Sequence, residues 1–163
     1  LLPIARDKIK IPMIASGGLG DARGLVAVLA LGAEGMNMGT RFMATKEAPI
    51  HDNVKQQMVE NDERATEMIF RTLNNTARVA SNNVSREVVS IEAKGNATID
   101  DVAHLVSGQR GKVVFENGDT EHGIWSAGMI QGLIHDVPSC KELVERIMDE
   151  ANQIINRLNT LSS

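Results

Sequence analysis

Two short apolar runs, each closed by glycine and set one helix's length apart, limit what this sequence can become. The first runs from Ile11 to Ser16 and stops at Gly17 and Gly18; the second lies within Gly35 to Met38 and stops at Gly39. A short apolar run bounded by turn residues reads as a strand buried on both faces. Asp21 stands where a helix N-cap belongs, because its carboxylate can accept from the backbone N–H groups that a first helical turn leaves without partners. Gly32 suits the end of that helix, since glycine enters the left-handed conformation at little cost. Residues 11–39 therefore spell strand, helix, strand with short connections. That is a parallel βαβ unit, and its crossover is expected to be right-handed.

The chain's 163 residues, 42% of them hydrophobic, suffice for a core of ordinary domain size. Seventeen basic residues face twenty-one acidic ones, a net charge of -4, with no basic stripe. This balance argues against a nucleic-acid or anionic-membrane surface. Cys140 is the single cysteine, so no disulfide can close within the chain, and a reducing cytoplasm is the expected compartment. No apolar run reaches the roughly 20 residues of a membrane helix, and the N-terminus lacks the shape of a signal peptide. It also lacks an initiating methionine, which suggests a piece of something longer.

After Thr45 the pattern turns helical and charged. Residues 67–73 read as a brief strand, and residues 82–93 as a helix. Residues 96–108 read as another helix, with Thr98 and Asp101 at capping-box spacing. Residues 112–123 are expected to form a strand that ends in a turn at Asn117 and Gly118. Residues 125–136, rich in small side chains, are expected to form a short helix begun by Trp125, which would anchor it. The last element is a long amphipathic helix capped by Ser139 and Glu142, with its apolar stripe on Val144, Ile147, Ala151, Ile154, Leu158 and Leu161. The expected division is residues 1–47, 48–135 (mainly helical with short strands) and 136–163 (the long helix).

The glycines carry the functional reading. A buried parallel strand delivers its backbone to the C-terminal edge of the sheet, where a residue without Cβ lets a ligand approach. Helix starts beside it offer N–H groups and the positive end of a dipole, a combination suited to phosphate. A lone Gly-Gly after a strand is more often a tight turn. Two such ends joined by one helix favour a phosphate site, as in the loops after strands seven and eight of (β/α)8 barrels.

At this point the chain resembles a known family. The segment from Ile11 to Phe42, with residues 74–93 and 105–143, is similar to the nitronate monooxygenase (2-nitropropane dioxygenase) family of FMN-dependent TIM-barrel enzymes, most of all to a branch containing NADH:quinone reductases. The resemblance implies an α/β fold, the C-terminal part of a (β/α)8 TIM barrel (its last two βα units) plus a mainly helical second domain. It implies FMN, with phosphate at Gly18, Gly39 and Thr40 and the approach lined by Gly17, Asn37 and Met38. It also places the family's catalytic histidine on an N-terminal half that this chain lacks, so no catalytic residue is assigned and the chain alone is expected to be inactive.

The remaining candidates read as structural. His51, His104, His122 and His135 show no metal-ligand pairing, and Cys140 has no neighbouring base in sequence. The scattered methionines read as core filler. Arg41 is open between a phosphate contact and an acidic partner. The functional expectations are oxidation of alkyl nitronates to a carbonyl compound and nitrite, NADH:quinone reduction, or flavin-dependent enoyl-acyl carrier protein reduction. A non-catalytic fragment binding a phosphorylated ligand or a protein partner is the reading from another class. Expected partners are FMN, a small-molecule substrate (nitronate or quinone, with NADH as donor), and the missing half of the barrel or a second copy.

Overall fold

A computed structural model describes residues 1–161. Helix α1 (Leu2–Lys8) leads into strand β1 (Ile14–Ser16), helix α2 (Ala22–Ala30) and strand β2 (Gly35–Asn37). β1 and β2 pair in parallel, Ile14 with Gly35 and Ser16 with Asn37, so the expected βαβ unit is present. Asp21 caps α2 by accepting from the N–H groups of Arg23 and Gly24, and Gly32 follows the helix at φ +92°.

The first strand is shorter and barer than the sequence suggests. Ala15 is buried against Val28 and Ala33, whereas Ile14 is 57% exposed and Ile11, outside the strand, is 70% exposed. Burial on both faces needs a packed layer over each face of the sheet, and among the described residues only the Ala15 face is covered, by Val28 of α2 and Ala33.

A four-residue helix, α3 (Thr40–Met43), follows β2 directly, and α4 (Asp52–Glu60) comes next. Strands β3 (Thr66–Ile69) and β4 (Ala77–Ala80) form an antiparallel pair covered by α5 (Asn83–Glu92) and α6 (Ile99–Val106). The start of α6 is capped as expected: Asp101 accepts from the Thr98 N–H at 2.7 Å and from its hydroxyl at 2.8 Å.

Residues 112–123 depart from expectation. The stretch from Gly108 to Asn117 is a helix, α7, and Gly118 closes it at φ +73°. The Asn-Gly pair thus ends a helix instead of turning a hairpin. Val114 is fully buried with Trp125, Met58 and Ile134, and this packing outweighs the strand preference of the Val-Val-Phe triplet.

The expected helix at residues 125–136 is also corrected. Ser126 bridges to Val79 of β4, and only Met129–Leu133 winds, as a 3₁₀ turn. Trp125 is extended chain packed into the core, and its indole N–H donates to the Thr120 carbonyl at 3.1 Å. The backbone here adds to the antiparallel pair, because the Ala80 N–H donates to the Trp125 carbonyl at 3.0 Å.

Helix α8 (Cys140–Thr160) ends the described chain and packs along α2. Its buried residues are Leu143, Ile147 and Ala151, so the expected inward stripe holds at Ile147 and Ala151, with Leu143 in place of Val144 at its start. Val144, Leu158 and Leu161 lie exposed.

Candidate functional site

The parallel register brings the ends of β1 and β2 to the same edge. There the Asn37 side-chain amide donates to the Ser16 hydroxyl oxygen at 3.0 Å, which fixes the two strand ends against each other. Gly17 and Gly18 leave β1 at φ +98° and +69°, conformations that L side chains rarely adopt. A Cβ built on either would meet nothing within 4 Å. Gly39 leaves β2 with the same open space beside it, but at φ -96°, an ordinary conformation. All six residues singled out in the sequence, Gly17, Gly18, Asn37, Met38, Gly39 and Thr40, thus stand at one sheet edge.

The two helices that start there are not equivalent. Asp21 already fills the N-terminus of α2 with its own carboxylate, 2.9 Å from the Arg23 nitrogen and 3.2 Å from that of Gly24. The Arg23 guanidinium binds the other carboxylate oxygen. Burial works to raise the Asp21 pKa, but these hydrogen bonds outweigh it and hold the carboxyl below its ordinary value. A second anion gains nothing at α2. The start of α3 carries no acidic residue, so its first-turn amides are the ones that face the edge without an intrahelical acceptor.

Thr40 is tied from behind, its hydroxyl oxygen accepting the Gly128 N–H at 2.9 Å. Arg41 is only 3% exposed and turns away. Its Nη2 donates to the Asp136 carboxylate at 3.1 Å, the Asp136 carbonyl at 3.2 Å and the Ala44 carbonyl at 3.4 Å. Of the two roles open to Arg41, the structure shows the acidic partner. Its Nε is buried without a hydrogen-bond partner among the described residues, beside a cleft of about 180 Å³ that Gly20, Asp21 and Arg146 also line. Burial pushes the guanidinium down from its ordinary value, and Asp136 opposes that shift. Asp136 receives a second arginine from α8, Arg146, at 2.7 Å. That hydrogen bond is the main cause of an Asp136 pKa below the usual carboxylate range.

This edge suits a phosphate monoester: backbone without Cβ on two strand ends, amides at the start of α3, and a hydroxyl. No cationic side chain among the six supplies charge, so recognition would rest on neutral donors. Ser16, Gly128, Asp136 and Arg146 were not foreseen from the sequence. Ser16 could have been, as the polar residue that ends β1 in register with Asn37.

The histidines lie elsewhere. His51 caps α4, its Nδ1 accepting from the Asn53 N–H at 3.1 Å; His104 and His135 are exposed; His122 has Nδ1 3.9 Å from Asp119. Cys140 opens α8, with its backbone N–H donating to the Glu47 carboxylate at 2.9 Å.

With this geometry in place, comparison with known proteins is decisive. The profile of the family described as nitronate monooxygenase matches residues 1–150. The chain belongs to the nitronate monooxygenase family. A (3aS,4S,5R,7aS)-5-hydroxy-7a-methyl-1-oxo-octahydro-1H-indene-4-carboxyl-CoA dehydrogenase of Rhodococcus jostii is 31% identical, over 99% of this chain and 56% of its own length. A probable nitronate monooxygenase of Bacillus subtilis is 29% identical, over 92% and 43% respectively. The solved structure of FabK from Thermotoga maritima, a TIM barrel, superimposes with a TM-score of 0.91 at 30% identity, over 99% of this chain and 50% of that one. The chain spans about half the length of the relatives it matches. Its α/β fold is that of two βα units of a TIM barrel with a mainly helical companion, and the nitronate monooxygenase family is one of flavin-dependent oxidoreductases acting on small molecules. No helix among the described residues is long and apolar enough to cross a membrane.

Proposed function

We propose that this chain is the phosphate-gripping part of an FMN-dependent oxidoreductase that oxidises alkyl nitronates to a carbonyl compound and nitrite. One observation carries the reading: Gly17, Gly18 and Gly39 leave open space at two strand ends held in parallel register. The family match and the Bacillus subtilis relative's name support the reaction. Bound flavin would supply the redox chemistry. The chain's own residues would seat its phosphate on the amides of Gly18 and Gly39 and on the Thr40 hydroxyl, while Gly17, Asn37 and Met38 line the approach. None of these six can trade a proton near neutral pH, so acid–base work falls to residues beyond this edge.

In this proposal residues 1–47 belong to the barrel, 48–135 form the second domain, and 136–163 return to the barrel, since α8 lies along α2. The remaining barrel units, or a second copy, cover the exposed face of β1. The Rhodococcus jostii relative and FabK favour a second reading in the same class, a flavin-dependent dehydrogenase or reductase acting on a thioester-bound acyl group, such as enoyl-acyl carrier protein. NADH:quinone reduction uses the same phosphate edge.

The test begins with colour. Purified protein that is yellow and releases FMN on denaturation supports the proposal; a colourless sample that ignores added FMN overturns it. In an FMN-loaded preparation of the full-length protein, nitrite release from a nitronate is then measured against NADH oxidation with a quinone and against enoyl-thioester reduction. Turnover of the nitronate alone supports the leading reading.

A further inference from the structure

Helix α3 is one turn long, too short to hold its own shape, yet it presents Thr40 to the proposed phosphate. Its geometry must come from outside. Thr40 accepts the Gly128 N–H at 2.9 Å, and the next residue, Arg41, grips the carbonyl and carboxylate of Asp136 at 3.2 and 3.1 Å. The second Asp136 oxygen takes Arg146 of α8 at 2.7 Å, and α8 packs on α2, the helix that follows the Gly17–Gly18 loop. A continuous path of hydrogen bonds and packing therefore joins the two halves of the glycine edge through its back.

We propose that Arg41, Asp136 and Arg146 are positioning residues, which set the Gly39–Thr40 backbone for phosphate without touching the ligand. The inference rests on the FMN-phosphate reading above. It has a rival with the opposite sign. Two arginines share one carboxylate here, and if Arg41 served the phosphate by its charge, neutralising Asp136 would leave that attraction stronger. If Arg41 serves by position, neutralising Asp136 frees the α3 turn and weakens the grip.

The experiment measures the dissociation constants of FMN and riboflavin by flavin fluorescence for the wild-type chain, Asp136→Asn and Arg146→Met. Riboflavin lacks only the phosphate, so the ratio of the two constants isolates the phosphate contacts, and a general loss of folding would move both ligands together. Asp136→Asn is expected to weaken FMN by about tenfold, within the range of couplings carried by such networks, with riboflavin unchanged. Arg146→Met leaves the Arg41–Asp136 pair in place and its own side chain is part-exposed, so it is the safer variant for folding. It is expected to raise the FMN-to-riboflavin ratio of dissociation constants, as Asp136→Asn does, by about threefold. An unchanged ratio in both variants, or tighter FMN binding by Asp136→Asn, overturns the inference while leaving the phosphate site standing. A wild-type chain that does not prefer FMN to riboflavin removes the phosphate reading itself, and this inference with it.

Discussion

The Thr40 hydroxyl oxygen lies 2.9 Å from the Gly128 backbone nitrogen and accepts its hydrogen bond. A hydroxyl that accepts from behind keeps its own proton to donate in front, so one side chain can tie the chain at Gly128 to α3 and still face a ligand. Thr40→Val keeps the shape and removes both roles. It leaves the Gly128 N–H without its partner, so a loss of about 1–2 kcal/mol is expected in urea unfolding. Thr40→Ser keeps the hydroxyl and is expected to stay within about 0.5 kcal/mol of wild type. Equal loss in both variants would show that the hydroxyl does not hold this junction.

Gly39 is the cleanest probe of the edge. Its φ of -96° suits any residue and nothing lies within 4 Å of a built Cβ, so Gly39→Ala is expected to fold with stability within about 1 kcal/mol of wild type. The added methyl group stands where phosphate would sit, so FMN affinity is expected to fall by about tenfold or more. Gly18→Val, at φ +69°, mixes that blockage with backbone strain of about 1–3 kcal/mol and reports on both at once. Normal FMN affinity in Gly39→Ala places the phosphate elsewhere.

What the sequence revealed depended on how local the cause was. Asp21, the Thr98–Asp101 box and the Ser139–Glu142 box each act within three residues, and all three stand where the spacing puts them. The glycine edge was legible because a βαβ unit forces its two strand ends together. The ties from behind were not legible. Thr40 reaches Gly128 and Arg41 reaches Asp136 across most of the chain, with no periodicity to announce either contact. The face of β1 was misjudged for a related reason: an apolar run tells that a strand wants covering, and says nothing of whether the covering layer lies in the same stretch of chain.

Gly118 separates a helix end from a hairpin turn. Its φ is +73°, and a Cβ there would collide with the His51 imidazole, the N-cap of α4. Gly118→Ala is expected to destabilise by about 1–3 kcal/mol from backbone strain alone, read as a lower urea midpoint. A neutral result would mean that α7 ends differently.

Acid sensitivity is expected at the start of α8. Glu142 accepts from the Ser139 N–H at 2.7 Å and from its hydroxyl at 2.8 Å, with Lys46 3.4 Å away. The Ser139 N–H first, then its hydroxyl, then Lys46, hold the carboxyl down from 4.5 to about 2. A pKa lower in the folded than in the unfolded chain gives stability that is whole above about 4.5 and is lost as pH falls toward 2. Glu142→Gln cannot titrate, so the gap between the wild-type and variant urea midpoints is expected to narrow across that window. A gap that stays constant with pH would show that the ionised carboxylate contributes nothing.

The outer side of α8 is the last test. Val144, Met148, Ile155 and Leu158 are exposed at spacings of four, seven and three, which is one continuous flank, while Leu143, Ile147 and Ala151 are buried on the other. A helix apolar on two adjoining flanks is built to lie between two neighbours, and α2 is only one of them. The sheet repeats the pattern, since a two-stranded parallel pair with Ile14 exposed leaves strand edges and apolar surface bare. Alone in solution the chain is therefore expected to self-associate at micromolar concentration, seen as a sedimentation coefficient that rises with concentration. Met148→Glu combined with Ile155→Glu places two charges on the flank and leaves the α2 face intact, so it is expected to shift the chain toward monomer with unchanged circular dichroism. A wild-type chain that sediments as a monomer at every concentration would show that this flank needs no cover.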